Sequence, residues 1–159
     1  RCALVATRGR DVCGGVLQEG ASLLDVVDTY IAHNVAGING GGGACTFGKL
    51  AALRRTQLRA NYGSRTYPSA LYTGNRNHAN NTVLDQVDFV AHGNETTSLV
   101  DWSGVALMRG VYFHGNSLAA GADGDAPTAA LDFGAAGVVD VYGDNCACGN
   151  APRDVTCPN

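Results

Sequence analysis

A hydrophobic residue, two variable residues and an asparagine recur along this chain at intervals of 24 to 31 residues. The pattern reads Ile31 to Asn34, Leu58 to Asn61, Phe89 to His92 with His in the Asn place, Phe113 to Asn116, and Tyr142 to Asn145. A fixed period of this length is the signature of stacked supersecondary units, each of which buries its apolar face only against its neighbours.

Two further elements keep the same period. Short apolar runs closing on Gly stand ahead of each asparagine element, at 14–20, 42–48, 70–74, 99–104 and 130–134. Between that Gly and the Asn lies another apolar stretch, in 23–27, 50–53, 83–87, 105–108 and 138–141. Three strand-like pieces per period leave no room for the helix of a leucine-rich or ankyrin unit. Leu50 to Arg59 alone has a composition that would permit a helix. The expected fold is all-β, a right-handed single-stranded parallel β-helix (β-solenoid) of about five coils. Neighbouring strands in such a stack lie about 4.8 Å apart, so equivalent positions form columns. We expect three inward columns: Leu17, Cys45, Leu71, Val100 and Leu131; Val26, Leu53, Leu84 and Met108; and Ile31, Leu58, Phe89, Phe113 and Tyr142. Asn34, Asn61, Asn116 and Asn145 are expected to line one corner, where their amides can pass hydrogen bonds between coils. Glycine at the other corners permits left-handed backbone or close approach.

The Gly-Gly-small-apolar element followed by aromatic-x-x-Asn resembles the repeat of polymorphic outer-membrane proteins, within the pectin-lyase-like β-helix superfamily. Gly42-Gly43-Ala44-Cys45 and Phe113-His114-Gly115-Asn116 match best, with Gly14-Gly15-Val16-Leu17 close behind. The third unit departs, with Ser69-Ala70 for the glycine pair, and the fifth lacks the pair. The resemblance spans about residues 13 to 150 and implies the architecture. Its members include adhesins, surface-layer proteins, passenger domains and polysaccharide enzymes, so it does not choose among functions.

The 159 residues suit one domain, with an N-terminal cap over 1–13, coils over 14–145 and a Cys-containing C-terminal cap over 146–159. Cys2, Cys13 and Cys45 lie towards one end and Cys146, Cys148 and Cys157 towards the other. Disulfides there would staple the exposed ends of the stack. We expect Cys2 to pair with Cys13 and Cys146 or Cys148 with Cys157, while Cys45, in an inward column, could instead be a buried thiol. The Cys146-Ala147-Cys148 spacing does not suit a zinc knuckle, and no metal site or cofactor is expected. Even cysteine number, a single Lys and two glycosylation sequons, at Asn80 and Asn94, point to a secreted, cell-surface setting. The missing initiator Met suggests a processed module of a larger extracellular protein. No apolar run is long enough for a spanning helix, so no membrane insertion by this segment is expected.

The formal charge of −3 is unevenly placed. Arg54, Arg55, Arg59, Arg65 and Arg76 fall in a stretch from 50 to 80 without an acid, whereas Asp123, Asp125, Asp132, Asp140 and Asp144 crowd the other end. The basic band is a candidate contact surface for carboxylates, through the planar fork of Arg. Its partners would be other extracellular modules, copies of the same chain, or an acidic polysaccharide; an acidic chain is unsuited to nucleic acid. Catalytic carboxylates would have to come from Asp85, Asp88 and Asp101, with Arg109 near them. However, Asp85 and Asp88 are an odd number apart and would face opposite sides of one strand. No catalytic residue is assigned. The four His show no ligand spacing. The expected function is a non-catalytic structural or adhesive module. The alternative is a carbohydrate-active or carbohydrate-binding β-helix.

Overall fold

The computed structural model describes residues 1–10, 13–37, 41–63, 69–73, 81–90, 92, 100–102, 105–116, 131–133 and 138–148. The described residues hold fourteen strands and no helix: β1 (Cys2–Val5), β2 (Val16–Gln18), β3 (Leu23–Val27), β4 (Thr29–Ala32), β5 (Ala44–Thr46), β6 (Leu50–Arg59), β7 (Leu71–Thr73), β8 (Asn81–Val90), β9 (Val100–Trp102), β10 (Val105–Arg109), β11 (Tyr112–His114), β12 (Leu131–Phe133), β13 (Val138–Tyr142) and β14 (Cys146–Cys148). The segment that could have been helical, Leu50 to Arg59, is the strand β6. Its neighbours β3, β4 and β8 take up its backbone groups, which outweighs the high helix propensity of Ala, Leu and Arg, a preference small in energy per residue.

All strand pairs are parallel and form two sheets. The smaller runs β12-β9-β7-β5-β2. The larger runs β1-β4-β6-β8-β10-β13, with β3 beside β6 and β11 between β8 and β14. Each of the five short apolar runs supplies a strand of the smaller sheet, and each of the intervening apolar stretches a strand of the larger. The chain therefore alternates between sheets once per repeat.

The register carries the core. Val26, Leu53, Leu84 and Met108 lie directly opposite one another, with Leu53, Leu84 and Met108 buried and Val26 packed against them. Ile31, Leu58, Phe89 and Phe113 form a second buried column, in which the two Phe rings stack at 4.7 Å. Tyr142 does not continue it. It lies opposite Arg109, and the position opposite Phe113 is Ala147. The first expected column is also displaced. Leu71 and Ala44 are buried opposite one another, with Val16 opposite Ala44 and Val100 and Leu131 following Leu71 in register. Leu17 and Cys45 are one residue out of that line, and Leu17 is 45% exposed, because a one-residue slip sends a strand side chain to the other face.

Two bends with left-handed backbone recur in the larger sheet. One falls at Asp28, Arg55, Gln86, Gly110 and Gly143 (φ 46 to 67°), each just after residues paired in register. The other falls at Ala6, His33, Ala60 and Gly115 (φ 46 to 63°), directly before the recurrent ladder position. Only some of these are Gly, so the remaining repeats hold side chains in a conformation that costs L-residues on the order of 1 kcal/mol each. The bend at Gln86 also consumes one residue of strand alternation. Thr82 and Leu84 are buried before it and Val87 and Phe89 after it, so Asp85 and Asp88 both point outward, contrary to the simple parity expectation.

Candidate functional site

The asparagine corner is a continuous buried ladder. Asn34, Asn61, His92 and Asn116 are each no more than 1% exposed. Asn34 Oδ1 accepts from the Thr7 N–H at 2.9 Å, Asn61 Oδ1 from the Asn34 N–H at 3.1 Å, and Asn116 Oδ1 from the His92 N–H at 3.0 Å. Each amide Nδ2 donates one repeat back: Asn34 to Leu4 O, Asn61 to Ile31 O and Asn116 to Phe89 O, at 3.0 to 3.1 Å. These carbonyls belong to the hydrophobic residue three places before the preceding ladder residue. That is why the motif couples the two types at that spacing.

His92 reproduces both bonds with a ring. Its Nδ1 accepts from the Asn61 N–H at 3.2 Å and its Nε2 donates to Leu58 O at 3.0 Å. The neutral ring with its proton on Nε2 satisfies both partners. Burial pushes its pKa down to about 4, against the opposing pull of the Leu58 and Asn61 backbone bonds. At the other end Thr7 stands in the ladder, its hydroxyl proton shared between two acceptors, Asn34 Oδ1 at 2.8 Å and Gly14 O. The second glycine of each pair is held small partly by this ladder, besides the backbone carbonyl of the next repeat. A Cβ on Gly43 would lie 2.9 Å from Leu58 Cδ2 and 3.1 Å from Asn61 Nδ2. On Gly15 it would meet Asn34 Nδ2 at 3.1 Å and Ile31 Cγ2 at 3.2 Å. The first strand of each of these repeats must pass close over its own ladder residue.

Asn145 is not part of this ladder. Its Oδ1 accepts from the Val111 N–H at 2.8 Å, at the other bend of the repeat. The sequence meets the hydrophobic-x-x-Asn spacing a second time with Ala147 and Asn150, and Asn150 lies outside the described residues.

Of the basic band, Arg54, Arg55 and Arg59 are exposed, and Arg65 and Arg76 lie outside the described residues. The band is not free of acids. Arg55 makes a bidentate pair with Asp28, Nε to Oδ1 at 2.8 Å and Nη2 to Oδ2 at 3.0 Å, and Arg54 Nε lies 3.6 Å from Asp25 Oδ1. The acids come from the preceding repeat, 27 residues before Arg55 in the case of Asp28. Arg109 pairs with Asp85 across 24 residues in the same way, at 2.9 and 2.7 Å. The Arg55 guanidinium holds the Asp28 carboxyl below its ordinary range, and Arg109 does the same to Asp85. A search of the charges at the repeat period, rather than along the chain, would have found these pairs.

The cysteine pairing also differs from expectation. Cys13 bonds to Cys45, with Cα atoms 5.8 Å apart, and Cys2 is an exposed thiol. Cys45 is thus neither a free buried thiol nor a bystander. The bridge ties the entry of β2 to β5 in the next repeat. The side chains of Cys146 and Cys148 are not among those described, and Cys157, Asn80 and Asn94 lie outside the described residues. Asp88 receives a long contact from Gln57 Nε2 at 3.4 Å, while Asp101 belongs to β9 in the other sheet from Asp85 and Asp88. Among the described residues no group of three or more His, Cys, Asp or Glu is placed to hold a metal, and no helix is long and apolar enough to cross a membrane. No protein-family model, curated protein or solved structure matches the chain.

Proposed function

We propose that this chain is a non-catalytic structural or adhesive module of an extracellular surface assembly, and that its two sheets are faces of one right-handed parallel β-helix of about five coils. The ladder is the observation that carries the reading. Asn34, Asn61, His92 and Asn116 hand hydrogen bonds from repeat to repeat inside the protein, with the exposed Thr7 at the end of the row, which supports a stiff rod whose purpose is shape. The alternation of the chain between two parallel sheets supports the β-helix, and the Cys13–Cys45 bridge is in keeping with an oxidising, secreted setting. Partners on this reading are neighbouring extracellular modules or further copies of the chain.

The outward arginines fit an acidic polysaccharide less well than their sequence clustering implies, since Arg54 and Arg55 already face carboxylates. Catalysis has no comparable support: Asp85 is engaged by Arg109, and Asp101 is on the other sheet. The test is to offer the full chain to intact cell surfaces of its source and to soluble pectate, pectin and neutral polysaccharides. Retention on the surface without release of new reducing or unsaturated ends is the expected result. Turnover of any of these polymers would contradict the structural role.

A further inference from the structure

The outward side of the first bend changes character along the stack. Its left-handed positions carry Asp28, Arg55 and Gln86 in three repeats, then Gly110 and Gly143 in the next two. Side chains that fill this corner in the early repeats are therefore missing later, and a concavity of about 640 Å³ opens there, lined by Gln86, Arg109, Gly110, Tyr112 and Asp144.

The walls differ in chemistry. Tyr112 is 41% exposed. Arg109 is fixed by its bidentate pair with Asp85, which uses Nε and Nη2 and leaves Nη1 out of the pair. Gln86 and Asp144 are exposed on the rim, offering an amide and a carboxylate. Arg109 is balanced by Asp85, and Asp144 adds a negative charge, so the site disfavours an anion. What remains is an aromatic surface, a pre-oriented guanidinium, further hydrogen-bonding groups and a floor of backbone with no side chain. A ring with an apolar C–H face and equatorial hydroxyls satisfies all of these at once.

We infer that this concavity binds a neutral pyranose unit of a glycan, its C–H face on Tyr112 and its hydroxyls on Arg109, Gln86 and Asp144. This goes beyond the structural role and does not depend on it; a module can be a spacer and carry such a site. It is also distinct from the basic band, which would select acidic sugars.

The test is calorimetric and NMR titration of the full chain with neutral gluco-, manno- and galacto-configured tetrasaccharides, and with tetragalacturonate as the anionic control. At least one neutral tetrasaccharide is expected to bind, with shifts confined to residues around Gly110 and Tyr112, and better than the uronate. Tyr112→Ala should weaken that binding by about tenfold or more, while Tyr112→Phe retains most of it. Asp144→Ala, at an exposed position, provides a second variant should Tyr112→Ala fail to fold, and should also weaken binding. Failure of every neutral tetrasaccharide up to about 10 mM, equal or tighter binding of the uronate, or affinity indifferent to both Tyr112→Ala and Asp144→Ala would overturn the proposal. None of these results would bear on whether the chain is a structural module.

Discussion

The two bends of the larger sheet solve the same problem with opposite means. Both turn the chain through a left-handed residue, and both carry side-chain links between neighbouring repeats. At the ladder corner the links are amides and one imidazole, all buried, each bonded to backbone groups that have no water to fall back on. At the outer corner the links are Arg–Asp pairs, half exposed in the case of Arg55 and Asp28, joined in the last repeats by the part-buried bond from the Val111 N–H to Asn145 Oδ1. Burial decides their weight. A buried polar group left without its partner costs about 1 to 3 kcal/mol, whereas an exposed ion pair contributes little and less in salt. The inner corner holds the repeats together, and the outer corner mainly discourages slips of register, since a shift would separate Arg55 from Asp28 and Arg109 from Asp85.

The largest effect should come from the apolar column beside the inner corner. Leu53 is fully buried between Val26 and Leu84, and Leu53→Asp would place an unpaired carboxylate there. Circular dichroism of that variant should show loss of the cooperative transition at neutral pH. A protein that still melts near the wild-type temperature would mean the column is not core.

Asn61→Leu comes next. It keeps the volume near constant but removes the partners of the Asn34 N–H and the Ile31 carbonyl and one of the two bonds of Asn34 Nδ2, which keeps Leu4 O. We expect a loss of about 3 kcal/mol or more in chemical denaturation, from several unsatisfied buried groups together. A loss no greater than that of a surface substitution would equate the two corners and remove the distinction drawn between them.

The smallest effect belongs to the outer corner. Arg55→Gly removes the pair with Asp28 but also relieves a φ of 46° at a side-chain-bearing residue. Stability should stay the same or rise slightly, and adding salt, which weakens only the wild-type pair, should shift the comparison further in the variant's favour. A drop comparable to that of Asn61→Leu would reverse the ranking.

Much of this arrangement was legible in the residue pattern, because period and spacing are local properties. The apolar stretches Leu23 to Val27, Val105 to Met108 and Val138 to Val141 fall in β3, β10 and β13, and His92 stands where the motif places an Asn. What eluded the pattern depends on register. Leu17 could not be told from Val16 as the inward residue in a strand of three, where a slip of one exchanges the faces. Tyr142 to Asn145 satisfies the motif spacing but sits one bend early, because alignment across the stack follows strand pairing and not the motif. The Cys13–Cys45 bridge spans 32 residues and depends on which repeats adjoin, which no cysteine count encodes. The Arg–Asp pairs hide for the same reason: partners that touch across a stack stand a whole repeat apart in sequence.

The ladder itself is most directly tested by His92→Asn, followed by denaturation across pH. His92 has a folded-state pKa of about 4, below its ordinary value of 6.5, so its neutral form is the one that folding favours. Its contribution is therefore intact above pH 6.5 and is lost as pH falls towards 4, by about 3 kcal/mol in all. Protonation would turn Nδ1 towards Asn61 O, 3.3 Å away, and give up the bond from the Asn61 N–H. An amide at position 92 offers the same acceptor and donor without titrating. The account predicts a His92→Asn protein within about 1 kcal/mol of wild type at pH 7, with the slope between pH 6.5 and 4 flattened. A variant that is strongly destabilised at pH 7 and keeps the wild-type acid slope would contradict the ladder.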